Sequence, residues 1–111
     1  VDITETKQAN VTILALSGRL DASTAPALES SLSALAAAKE SRVLVDAREL
    51  EYISSAGLRV LLAGAKQFKK NSGLIALSTL SPTVKQVFEI SGFTSIFDIY
   101  STRDEALKAL V

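Results

Sequence analysis

The residues with the most to offer chemically lie in one short run, Tyr52-Ile53-Ser54-Ser55-Ala56-Gly57-Leu58-Arg59. Ser55 falls where a loop passes into an apolar-periodic segment, and a helix start there leaves free backbone N–H groups and about half a positive elementary charge. An anion, or a phosphoryl group added to the serine, is stabilised in such a place. Ala56 and Gly57 present almost no side chain, so a partner's active site could approach the backbone closely. Gly57 also lowers helix propensity by roughly 1 kcal/mol relative to alanine, so something other than helix stability favours it. The competing reading is plain capping, because serine is among the residues preferred at a helix start and either Ser55 or Ser54 could serve. Asp21 divides in the same way, between a cap or turn residue and a member of a site.

The rest of the chemical inventory is thin. The chain contains neither His nor Cys, which removes the usual general base, the commonest transition-metal ligand and every thiol. Ser-His-Asp and Cys-His hydrolases are thereby excluded. There is no Gly-x-x-x-x-Gly-Lys-Ser/Thr loop and no Gly-x-Gly-x-x-Gly fingerprint, so no nucleotide cofactor is expected. Asp46, after an apolar run, resembles the phosphoacceptor of a receiver domain. Such a site needs further acids for its metal, and the preceding parallel strand ends at Ser17-Gly18 instead. Lys66, Lys69 and Lys70 read as a solvated helix end, and Phe93, Phe97 and Tyr100 as core or rim. The reading is a binding protein rather than an enzyme, without metal or cofactor.

Composition sets the frame for these residues. The 111 residues, 48% hydrophobic, suit one compact domain spanning 1–111 that builds a core without disulfides or metals. Twelve basic residues balance twelve acidic ones and no basic stripe is visible, so nucleic acid is not an expected partner. The longest mostly apolar stretch, residues 58–65, contains Arg59 and falls far short of the roughly 20 residues of a spanning helix. No membrane insertion is expected. The opening Val1-Asp2-Ile3-Thr4-Glu5 has no basic region leading into an apolar one, and a cytoplasmic location is the expectation.

The elements that must position Ser55 and Asp21 follow from periodicity. Residues 11–16 are a β-rich run ending at Ser17-Gly18, and residues 2–6 pair with it as an edge strand turned by Ala9-Asn10. Leu28, Leu32, Leu35 and Ala36 fall at helical spacing within residues 24–39, with Ser23 or Thr24 as cap and Pro26 in the first turn. Val43-Leu44-Val45 reads as a strand buried on both faces. A helix from near Ser55 turns Leu58, Leu61, Leu62, Ala65 and Phe68 to one face and stops at Asn71-Ser72-Gly73. Residues 74–77 are a second buried strand, and Ser81-Pro82 starts a helix that Gly92 ends. Residues 96–100 form a last strand, and Thr102-Arg103-Asp104-Glu105 opens a terminal helix as a capping box. This order predicts an α/β fold, a mostly parallel sheet of sequential strand–helix crossovers preceded by an N-terminal hairpin. Partners usually meet the loops beyond the carboxyl ends of such strands, here residues 18–23 and 47–55.

The run Ile53-Ser54-Ser55-Ala56-Gly57-Leu58-Arg59-Val60-Leu61-Leu62 resembles the signature of bacterial anti-sigma factor antagonists, which are small STAS domains. Gly18-Arg19-Leu20-Asp21 is similar to that family's Gly-x-Leu-Asp segment, and Val43-Leu44-Val45-Asp46 to its third strand. Leu80-Ser81-Pro82-Thr83-Val84-Lys85 with Ser91-Gly92-Phe93 is similar to its Ser-Pro-x-Val segment and the Ser-Gly that follows. The resemblance implies the STAS fold with sequential sheet order, and partner switching as the mode of action. The unmodified protein would bind an anti-sigma factor that is also a serine kinase and free the sigma factor. The kinase would phosphorylate the serine two residues before the glycine, and a metal-dependent phosphatase would reverse it. By position that serine is Ser55; Ser54, where many members carry aspartate, is the lesser candidate. The implied partner-binding residues are Asp21, Ser23, Ser54, Ser55, Ala56, Gly57 and Arg59. A monomer or weak dimer is expected. Control of secretion, motility or a cyclase, and a place in a lipid transporter, are the alternative outputs within the family.

Overall fold

A computed structural model describes residues 1–111. The elements are β1 (Asp2–Gln8), β2 (Val11–Leu20), α1 (Ala25–Ala37), β3 (Arg42–Ile53), α2 (Ser55–Lys70), β4 (Leu74–Ser78), α3 (Pro82–Ile90), a 3₁₀ turn (Phe93–Ser95), β5 (Asp98–Tyr100) and α4 (Arg103–Leu110). They build one five-stranded sheet in the order β1-β2-β3-β4-β5. β1 and β2 form the antiparallel hairpin, turned at Ala9 with φ 56°, and the remaining pairs are parallel. The α/β class, the opening hairpin and the sequential order are as the residue pattern predicts.

The strands sort their side chains by alternation. Val43 and Val45 of β3, with Leu14, Ile75 and Leu77 beside them, face α1, α2 and α3 in the larger core cluster. Leu44, Ile13 and Ala76 face the other way, onto Ala106, Leu107 and Leu110 of α4. Val43, Leu44 and Val45 are all essentially inaccessible, as expected of a strand covered on both faces. α4 is further tied to β3 from both of its ends. Arg103 reaches Asp46 Oδ2 at 3.6 Å, and Arg42 Nη1 donates to the Leu110 carbonyl at 2.8 Å. Asp46 is therefore engaged, its Oδ1 accepting from the Arg48 N–H at 3.1 Å.

Three boundaries differ from the sequence reading. β2 runs on through Gly18 and Arg19 to Leu20, and β3 through Leu50 to Ile53, so the segments 18–20 and 47–53 are strand rather than loop. The two extensions pair with each other, Ser17 opposite Glu49 and Leu20 opposite Ile53, across two register shifts. Bulges of this kind reset the alternation, which is why a sequence of Arg48, Glu49 and Glu51 around a buried Leu50 conceals a strand. Gly18, at φ +94°, takes the strained position in this stretch. At the other edge β5 begins at Asp98 because the 3₁₀ turn occupies the chain just before it.

Candidate functional site

The carboxyl ends of β2 and β3 lie side by side, and the Ser54 N–H joins them by donating to the Leu20 carbonyl at 2.9 Å. α1 and α2 start from these two ends, so the residues between strand and helix on each side meet at one rim of the molecule.

On the β2 side Asp21 organises the turn. Its Oδ1 accepts from the Ser23 hydroxyl at 2.7 Å, from the Ser23 N–H at 3.0 Å and from the Thr24 N–H at 3.2 Å. Its carbonyl accepts from the Thr24 and Ala25 N–H groups at 3.1 and 2.7 Å. The Ser23 hydroxyl leads the hydrogen bonds that hold the Asp21 carboxyl below its ordinary value. Thr24 occupies the cap position of α1 without a side-chain cap bond. Its hydroxyl instead donates to the Arg19 carbonyl at 2.9 Å and accepts from the Asp21 N–H at 2.9 Å. The turn reading of Asp21 is thus realised in full; one oxygen, Oδ2, remains turned to no protein donor.

On the β3 side the geometry assigns the cap of α2 to one of the two serines. Ser54 is the cap, extended at φ −97°, ψ 174°, with its hydroxyl accepting from the Gly57 N–H at 3.4 Å. Ser55 is the first residue of the helix proper, exposed, and its hydroxyl makes no hydrogen bond within the protein. The first turn of α2 contains no acidic side chain, so nothing in the helix itself answers its N-terminal partial charge.

Gly57 is corrected. The sequence reading placed it on the partner-facing surface, where a bare backbone admits close approach. It is buried, and a Cβ there would stand 2.9 Å from both Ile53 Cγ1 and Leu20 Cγ. The missing side chain lets α2 settle onto the ends of β2 and β3, so Gly57 positions Ser55 from beneath. Ala56 is half-buried and Arg59 exposed. Both line a groove of about 390 Å³ between the starts of α1 and α2, with Ala22, Pro26, Glu29 and Val60.

Two features of the rim escaped the sequence reading. Glu29 and Pro26 of α1 face α2 across the groove, a juxtaposition that depends on how two helices pack. Arg19 stacks its guanidinium over the Tyr52 ring, 4.2 Å from the centroid, a cation–π contact made possible by the strand pairing of these two residues. Elsewhere no group of acidic side chains is placed to hold a metal ion, and no helix is long and apolar enough to cross a membrane.

A model of the STAS domain family matches residues 2–106. The protein BtrV of Bordetella bronchiseptica, assigned as an anti-sigma factor antagonist, is 45% identical over 97 residues, covering 87% of this chain and 84% of its own. The crystal structure of an anti-sigma factor antagonist from Mycobacterium paratuberculosis superposes with a TM-score of 0.90 at 28% identity, covering 98% of this chain and 92% of that one. SpoIIAA has been solved unphosphorylated, with TM-score 0.85, 20% identity and coverage of 97% and 95%. Its phosphorylated form from Bacillus gives TM-score 0.79, 19% identity and coverage of 99% and 100%. At those identities the likeness to SpoIIAA is one of fold.

Proposed function

This chain belongs to the STAS domain family, among the anti-sigma factor antagonists, and on that premise we propose that it is a partner switch set by phosphorylation of Ser55. In its unmodified state it binds an anti-sigma factor that carries serine kinase activity, and so releases a sigma factor. The binding face is the rim formed by Asp21, Ser23, Ser54, Ser55, Ala56 and Arg59, with Gly57 supporting it from the core. A metal-dependent phosphatase restores the binding form. The chain acts by binding and not by catalysis, as a monomer or weak dimer of the cytoplasm, within a unit that spans residues 1–111.

One observation carries the choice of residue: Ser54 is committed to capping, whereas the Ser55 hydroxyl is exposed and free of internal hydrogen bonds. A hydroxyl in that state is open to in-line attack on a nucleotide's terminal phosphate. The added group carries about −1.5 to −2 charges and three acceptor oxygens. At a helix N-terminus the fold tolerates that charge. A partner surface shaped to a small neutral serine does not, and a penalty of about 3 kcal/mol there weakens binding roughly 100-fold.

The test is incubation with the cognate kinase and ATP, mass spectrometry of the Ser54-Ser55 peptide, and calorimetry of the variants. Ser55→Ala should retain binding and refuse phosphate; Ser55→Asp should bind at least tenfold more weakly. Phosphate found on Ser54 alone, or equal affinities for the Ala and Asp forms, would remove Ser55 from the switch.

A further inference from the structure

We infer that Arg59 is the intramolecular receiver of the charge placed on Ser55, so that phosphorylation strips the α1–α2 groove of its one cation as well as altering the modified residue. The inference rests on the reading of Ser55 as phosphoacceptor and adds to it a second residue and a second effect.

Ser55 and Arg59 are both exposed on α2, which is helical from Ser55 to Lys70. Residues four apart on a helix stand one above the other, with Cβ atoms roughly 5–6 Å apart, and an acid placed N-terminal to a base at this spacing is the favourable orientation. Arg59 has no ionic partner in the unmodified protein. The ion pairs present are Lys7 with Glu40, Arg48 with Glu49 and Arg103 with Asp46. Arg59 instead borders the groove, whose lining contains one further charged residue, Glu29 of α1 on the opposite wall. The two do not approach within ion-pair distance, so the guanidinium is held by nothing that a stronger acceptor would have to displace.

A phosphoryl group on Ser55 is such an acceptor. Its oxygens match the planar fork of a guanidinium, and charge-assisted bonds of this kind are roughly twice as strong as neutral ones. The same helix face that presents Ser55 therefore brings donor and acceptor together without movement of the backbone. Once Arg59 turns back toward residue 55, Glu29 is the sole charge on the groove wall, and the electrostatic character of the groove changes from balanced to acidic. A partner segment that offers an acidic or carbonyl group to Arg59 loses that contact at the same moment it meets the dianion.

The experiment uses the full chain with phosphoserine installed at position 55 during translation, so that no kinase is involved. The ³¹P resonance is titrated in chains with Arg59, Arg59→Lys and Arg59→Gln. Pairing with Arg59 favours the dianion. The apparent second pKa of the phosphate should therefore lie about half a unit lower with Arg59 than with Arg59→Gln, and Arg59→Lys should fall between. In the chain with Arg59, the Nε–H resonance of that side chain should also shift on phosphorylation and gain protection from exchange. Coincident titration curves for Arg59 and Arg59→Gln, or an Arg59 Nε–H signal indifferent to the phosphate, overturn the pairing. Failure of the kinase to modify Ser55 would instead strike the reading beneath it, so the two can fail separately.

Discussion

α2 and α4 each start with a hydroxyl side chain accepting the N–H three residues on, Ser54 from Gly57 at 3.4 Å and Thr102 from Glu105 at 3.1 Å. Beyond that shared cap they diverge. α4 places Asp104 and Glu105 in its first turn and fastens Arg103 to Asp46, so its positive pole is answered by its own side chains. α2 has no acid in its first turn, a longer cap bond, an unbonded serine hydroxyl and a glycine against the core. One helix start is electrostatically finished and serves the fold. The other is left open, and an open helix start is one to which a negative charge can be added without dislodging another.

The comparison can be broken most forcefully at Gly57. Gly57→Ala places a methyl 2.9 Å from Ile53 Cγ1 and Leu20 Cγ, and overpacking of this kind costs about 2 kcal/mol despite the better helix propensity of alanine. Urea denaturation should show the loss; a variant as stable as the parent would mean that α2 is not seated by this glycine. Removing the two caps comes next. Thr102→Ala should cost about 1 kcal/mol and Ser54→Ala somewhat less, given its longer bond. A larger loss for Ser54→Ala would reverse the ranking of the two helix starts.

A smaller effect of opposite sign is expected from filling the open start. Ser55→Asp should stabilise the fold by about 0.5 kcal/mol through the helix dipole even as it weakens partner binding. The same charge added to the first turn of α4, by Ala106→Asp, would bury it and destabilise the fold. Thermal melts of the two variants give the contrast directly.

The slightest effect concerns pH. The Asp21 carboxyl is held below its ordinary value by the Ser23 hydroxyl and its companion bonds. Its contribution to stability is therefore present above the unfolded value near 3.8 and is lost as pH falls through the depressed folded value. In Asp21→Asn the decline of stability below about pH 4 should be shallower, while stability differences between parent and variant stay constant from pH 5 to about pH 8. A parallel decline in both proteins would show that the turn does not depend on the charge. Glu40, held low chiefly by Lys7 and then by Thr12, supplies part of the same acid limb in both proteins.

Much of this is legible in the amino-acid sequence. The helices announce themselves by apolar spacing and by punctuation such as Ser81-Pro82 and Thr102 with Glu105, because caps are local interactions between residues three apart. The buried heart of β3 is equally plain in Val43-Leu44-Val45. What sequence hides is whatever depends on a neighbouring strand. The extensions of β2 and β3 exist because each completes the other across two bulges, and neither has the alternation that would identify it alone. The error over Gly57 has the same origin. A glycine near the start of a helix reads as exposed backbone until Leu20, thirty-seven residues away by number, is seen to lie against it. The candidates Asp21, Ser23, Ser54, Ser55, Ala56 and Arg59 all follow the adjacent ends of β2 and β3. The opposite wall with Glu29 and Pro26, and the Arg19–Tyr52 stack, required the packing to be known.

The order of the sheet has a bearing on how the chain is made. Each strand pairs with the strand synthesised before it, so every new strand can be added to an edge whose sequence has already been made. No strand has to be threaded between two that have joined. By the time Ser54 leaves the ribosome, the carbonyl of Leu20 that its N–H will seek has been available for some thirty residues of synthesis, roughly 2 to 6 seconds at common elongation rates. The open helix start is thus added to a strand end already made, while β4, α3 and Phe97 are still to come on its face of the sheet.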